Sequence, residues 1–197
     1  MSEIAREDRQ IGSVLPDFTL PLVTAPDQQW NLHEQARRGR GAAIIFWSGV
    51  CSHCERYDAY FNAFSTQHPE IAFAAVAARQ TETIESARAV LDARGLHFLT
   101  IHDKGSAIAQ LLFTQHTPRV FLVDHEARLV YRGAIDNFKY PVDPEYVGYL
   151  EPAIEALLAG RPVERPDTPS FGCAIQSVYY TIQRPIARKP LTPERTT

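Results

Sequence analysis

Two cysteines two residues apart, Cys51 and Cys54, follow the unbroken apolar run Ala42–Trp47 and precede a stretch of helical character from Glu55 to about Gln67. A CxxC pair closes on itself only when its first cysteine sits at the opening turn of a helix. There the helix dipole and the free backbone N–H groups favour a thiolate. Strand, short turn, CxxC and helix in that order therefore carry redox chemistry as a physical consequence. They also limit the chain to folds in which a buried strand feeds directly into a helix.

The rest of the chain alternates in the same way. Ala42–Trp47 reads as a central strand buried on both faces, and Ile71–Ala77 as a second. Between them Tyr57, Tyr60, Phe61 and Phe64 recur at helical spacing. A helix is predicted over Thr81–Arg94, stopped by Gly95, then a short strand over Phe98–Ile101 and a short helix over Ser106–Phe113. Val120–Val123 and Leu129–Tyr131 form a hairpin around Asp124–Ala127, and Pro144–Ala159 reads as a closing helix ended by Gly160. Val14–Leu20 and Gln29–Leu32 alternate apolar and polar, as in an edge hairpin interrupted near Pro26 and Asp27. The prediction is an α/β fold: a central mixed sheet flanked by helices, with a parallel core and an antiparallel closing hairpin. Residues 1–10 form a polar lead-in, 11–160 the domain and 161–197 a Pro-rich extension with six of the fourteen prolines. Within the extension Phe171–Ile182 is expected to dock in part on the body, because Val178, Tyr180 and Ile182 alternate. Asp103 and Asp136 read as turn or cap residues.

Composition serves mainly to exclude. A chain of 197 residues with 45% hydrophobic and 22% charged content supports one domain with a full core. A net charge of -3 and the lack of a basic stripe argue against nucleic-acid partners. No apolar run approaches a membrane span, and Met1–Arg9 is charged where a signal peptide needs an apolar segment, so a cytoplasmic location is expected. Three cysteines are too few for a disulfide scaffold.

CxxC after one β-run and Thr117-Pro118 before another together resemble the thioredoxin superfamily. Phe46-Trp47-Ser48-Gly49-Val50-Cys51 is similar to its strand-to-active-site junction. Ile11–Leu20, Thr117–Asp124, Leu129–Gly133 and Ile135-Asp136 resemble the redoxin and peroxiredoxin branch, so the likeness covers about residues 11–160. It implies a thioredoxin-like fold and a cis Pro118 that shapes the substrate groove. The Thr117 backbone would then be open to an extended substrate, with Trp47 and His53 as further substrate contacts. Three departures stand out. Ile45 occupies the place of the buried acid that serves the second cysteine in thioredoxins. Val50 replaces the usual Trp before the first cysteine. Trp47–Val50 replaces the Pro and Thr that precede a peroxidatic cysteine. Phe171-Gly172-Cys173-Ala174-Ile175 resembles a Gly-Cys-x-Ile element of some redoxin-like proteins.

The chemistry expected is dithiol–disulfide exchange, with Cys51 as the more exposed attacking thiol and Cys54 as the resolving thiol. His53 is either a second stabiliser of the Cys51 thiolate, which makes the disulfide more oxidising, or a solvated surface residue. His116 is either a stand-in proton acceptor or, the favoured reading, polar surface. Cys173 is either a third redox thiol or a small buried residue, since pairing depends on spatial geometry. Three other functions compete: a thiol peroxidase marked by sulfenic acid at Cys51, a metal site built from Cys51, His53 and Cys54, and a non-catalytic interaction protein on the same scaffold. The main reading involves no metal and no organic cofactor. The partners would be protein or small-molecule thiols and disulfides and a reductase or thiol donor, in an antioxidant or redox-homeostasis role.

Overall fold

A computed structural model describes residues 10–176. Strands β1 (Thr19–Pro21) and β2 (Gln29–Asn31) form the antiparallel N-terminal hairpin. Helix α1 (Leu32–Arg38) follows at once. Asn31 ends β2 and caps α1 by accepting from the Glu34 N–H, so strand and helix share a residue. That immediate hand-over is why the sequence reads as strand through Leu32 and the helix went unpredicted.

The central sheet has the order β5-β4-β3-β7-β8. Strand β3 (Gly41–Trp47) is buried along its whole length, runs parallel to β4 (Ile71–Ala77) and antiparallel to β7 (Arg119–Asp124). Strand β5 (Thr100–His102) extends the parallel side, and β8 (Leu129–Gly133) closes the antiparallel side. The mixed sheet is the predicted one. Because side chains alternate across a strand, β3 feeds two cores. Ala43, Ile45 and Trp47 face α3 (Asp58–Gln67), α4 (Ile84–Arg94) and α6 (Leu150–Leu158). Ala42, Ile44 and Phe46 face the N-terminal hairpin, α1 and α5 (Ala107–Leu111). Asp103 caps α5 by accepting from the Ile108 and Ala109 N–H groups.

Local chemistry moves several boundaries. The helix after the cysteines is broken into α2 (Ser52–Glu55) and α3, with Tyr57 at φ -107, ψ 0 between them. Its hydroxyl donates to the Asp136 carboxylate at 2.6 Å, a contact that holds this residue out of a continuous helix. Helix α4 begins at Ile84 because Thr83 and Ser86 form a reciprocal capping box, and Gly95 ends it at φ +63. Residues 144–149 are not helical, in contrast to the sequence expectation. Their backbone is used elsewhere: Asp136 bridges Gly148, and Ile135 O accepts from both Tyr149 and Leu150 N–H.

The extension docks on the body. Thr168 N–H donates to Arg132 O beside β8. Farther on, β9 (Cys173–Ala174) pairs antiparallel with β6 (His116–Thr117). Val178, Tyr180 and Ile182 lie outside the described residues. Among those residues no helix is long and apolar enough to cross a membrane.

Candidate active site

Strand β3 ends at Trp47, and Ser48–Val50 turn the chain so that Cys51 becomes the N-terminal cap residue of α2. Cys54 follows within that single turn and is fully buried. The Cys51 thiol donates to the Thr117 carbonyl at 3.3 Å. The Thr117–Pro118 bond is cis. The site thus joins the end of β3, the start of α2 and the entry to β7.

The two thiols titrate apart. Hydrogen bonding from Cys54, helped by Cys173 and Thr117, pulls Cys51 down to about 4 against the opposing effect of burial. Burial first, and the neighbouring Cys51 second, push the Cys54 thiol up. The shifts thus favour the thiolate at Cys51 and the protonated thiol at Cys54. This is the division of labour that an attacking and a resolving thiol need.

Cys51 has no exposed surface, which corrects the expectation of an exposed attacking thiol. Cys173 and His53 lie against it. The Cys173 sulfur, the Cys51 sulfur and a His53 ring nitrogen all lie within 4.8 Å of one another. His53 Nδ1 is 3.6 Å from Cys173 Sγ, and its ring lies tilted against Phe138 and edge-on to Phe171. The Cys–His cluster is therefore Cys51, His53 and Cys173 rather than Cys51, His53 and Cys54. Among the described residues these three donors fall short of the four of a closed structural zinc site.

Trp47 is also corrected. It has no exposed surface, its indole N–H donates to Asp58 at 3.2 Å and its ring meets Phe98 edge-on. It supports the active-site loop from below and cannot touch a substrate. Sequence reasoning missed the group it belongs to. Arg94 donates to Asp58 at 3.1 Å and to Gly49 O at 3.0 Å, and buried Glu82 accepts from Gly49 N–H at 2.9 Å. Both peptide groups of Gly49 are thus clamped just before Cys51. Burial raises the Glu82 carboxyl above its ordinary range. The clamp has no local signature, since Gly49, Glu82 and Arg94 meet only in the fold. His116 is turned to Ser170, whose hydroxyl lies 3.0 Å from Nε2, and burial lowers its pKa. That contact does not direct its ring at the cysteines. Asp136, read as a turn residue, accepts from Phe138 N–H at 2.7 Å as well as from Tyr57.

The Redoxin family model matches residues 10–146. The chain belongs to the Redoxin family. The thiol–disulfide oxidoreductase ResA of Bacillus thuringiensis (strain Al Hakam) is 26% identical over 125 residues, which is 64% of this chain and 70% of that protein. The ResA of Bacillus anthracis matches equally. Among solved structures, the hypothetical protein SMc02350 of Sinorhizobium meliloti 1021 superposes with a TM-score of 0.73 at 27% identity, covering 84% of this redoxin and 93% of that chain. An uncharacterised conserved protein of Geobacillus kaustophilus gives a TM-score of 0.75 at 22% identity, over 86% and 93% of the two chains, and shows the shared fold.

Proposed function

We propose that Cys51 is the attacking thiol and Cys54 the resolving thiol of this redoxin. The chain is a thiol–disulfide oxidoreductase acting on thiol and disulfide substrates. The observation that carries the residue assignment is geometric: Cys51 caps the start of α2 against Thr117 and cis Pro118, Cys54 is buried in the same turn, and their surroundings shift the two pKa values in opposite directions.

The cycle follows from that asymmetry. The Cys51 thiolate attacks one sulfur of a substrate disulfide, forms the mixed disulfide and releases the other substrate sulfur as a thiolate. Cys54 then loses its proton and attacks the Cys51 sulfur. The Cys51–Cys54 bond forms and the second substrate thiol leaves. The protein ends oxidised by two electrons and the substrate reduced by two, and every step reverses when the protein starts as the disulfide. A stabilised Cys51 thiolate favours the dithiol form, so the oxidising direction is the stronger one. Support for a substrate groove comes from the Thr117 backbone, which can pair with an extended segment, and from cis Pro118 beside it. His53 is half-buried and Val50 exposed on either side of Cys51 in the chain.

The test is exchange with glutathione disulfide by Cys51→Ser and Cys54→Ser proteins. The first should show no exchange. The second should accumulate an unresolved disulfide at Cys51, since the Cys51–Cys54 bond cannot form. Full turnover by Cys51→Ser would remove the assignment.

A further inference from the structure

The edge that a substrate strand would use is already taken. Residues 173–174 of the extension pair antiparallel with His116–Thr117, placing Cys173 directly opposite Thr117. Thr117 is also the residue whose carbonyl contacts the Cys51 thiol. The register therefore delivers a cysteine of this chain to the point where a substrate cysteine must arrive. Residues 10–146 carry the family match, so this segment lies beyond it.

The docking is built rather than incidental. Ile175 is buried in the core beneath the β3 face that carries Ala42 and Phe46. Its N–H donates to Gln115 O and its C=O accepts from Gln80 N–H, both at 3.0 Å. On the other side of Cys173, the Ser170 hydroxyl sits 3.0 Å from both His116 Nε2 and Arg119 Nη1. Between these anchors Gly172 lies so close to the β6 backbone that a Cβ would come within 1.8 Å of Thr117 O. Only glycine allows that approach. His53, 3.6 Å from the Cys173 sulfur, is placed to take its proton.

Resting on the exchange reading of Cys51 and Cys54, we propose that residues 171–175 are a tethered substrate strand whose Cys173 forms a disulfide with Cys51. In the oxidised protein the Cys173 thiolate attacks the Cys51 sulfur. The Cys51–Cys173 bond forms, the Cys51–Cys54 bond breaks, and Cys54 leaves as a thiolate that takes up the proton Cys173 gave to His53. No electrons enter or leave. The product has the connectivity of a mixed disulfide with substrate, and Cys54 reverses it by the same attack that resolves one. An outside substrate reaches Cys51 only after the strand has lifted from Thr117.

The experiment uses the full chain in three forms. Wild type is oxidised and reduced in glutathione buffers, which tests the Cys51–Cys54 couple on its own. Cys54→Ser is treated with glutathione disulfide, and its disulfides are mapped by mass without reduction. The expected product is Cys51–Cys173, exceeding the glutathione adduct by about tenfold or more, because a thiol held in place has a high effective concentration. A stable Cys51–glutathione adduct with Cys173 still reduced overturns the inference, even if the wild-type couple works. Should Cys54→Ser not fold, Cys54→Ala gives the same readout. Gly172→Val provides an independent measure. It should raise the alkylation rate of Cys51 by about tenfold or more, since strand opening then no longer limits access. An unchanged rate contradicts the proposal. If the wild-type Cys51–Cys54 pair fails to cycle, the exchange reading falls, and the Cys54→Ser mapping still decides whether Cys173 reaches Cys51.

Discussion

The Cys51 thiol owes its acidity first to the Cys54 hydrogen bond. Cys54→Ala removes that donor, so the Cys51 pKa should rise from about 4 toward the ordinary thiol value, as followed by the ultraviolet absorbance of the thiolate. An unmoved pKa would shift the cause to Cys173 and Thr117. The sign for stability follows from the same shift. The folded pKa of about 4 lies below the ordinary value of 9.0, so the unfolded chain binds more protons between those limits. The reduced protein therefore has this contribution in full above about 9 and loses it as pH falls toward 4. Thermal unfolding of the reduced form should fall toward acid more steeply than that of the Cys51–Cys54 disulfide form, which has no Cys51 proton to bind. At the loop, Arg94→Ala leaves the partly buried Asp58 carboxylate and the Gly49 carbonyl without their shared donor. The expected cost is about 1–3 kcal/mol by chemical denaturation.

At the scale of elements, β3 and β4 were readable because both are continuous apolar runs, and the CxxC helix because its aromatics recur at helical spacing. The breaks were not readable. Tyr57 leaves the helix for a partner 79 residues away, and Thr83 starts α4 through a box with Ser86 at the place where a capping box usually has Glu or Gln. Replacing Thr83 by Ala should lower stability by about 1 kcal/mol, the usual value of a lost N-terminal cap. Phe61→Ala should cost about 3–5 kcal/mol, since its ring is fully buried against Phe73 and Phe98. Of the site, Cys51, Cys54, Thr117 and Pro118 carried local signals. The Arg94–Glu82 clamp and the β6–β9 pairing did not. A two-residue strand has no periodicity to detect, and Trp47, at the end of a run read as buried, takes its expected substrate contact only from the family resemblance.

For the whole molecule, the extension makes the active site a property of segments far apart in the described chain. Residues near position 50, residues near 117 and a strand at 173 meet at one sulfur, and the two cores on either face of the sheet hold them in register. On the proposed mechanism Cys51 and Cys54 form a working couple in which one thiol is ionised and the other is not. The direct measurement is the midpoint of the wild-type couple in thiol/disulfide buffers across the pH range. Reduction should take up two electrons and one proton above the Cys51 pKa, so the midpoint should fall by about 30 mV per pH unit around neutrality. A slope of about 59 mV per pH unit there would show that both thiols bind protons, and the lack of any reversible transition would contradict the couple itself.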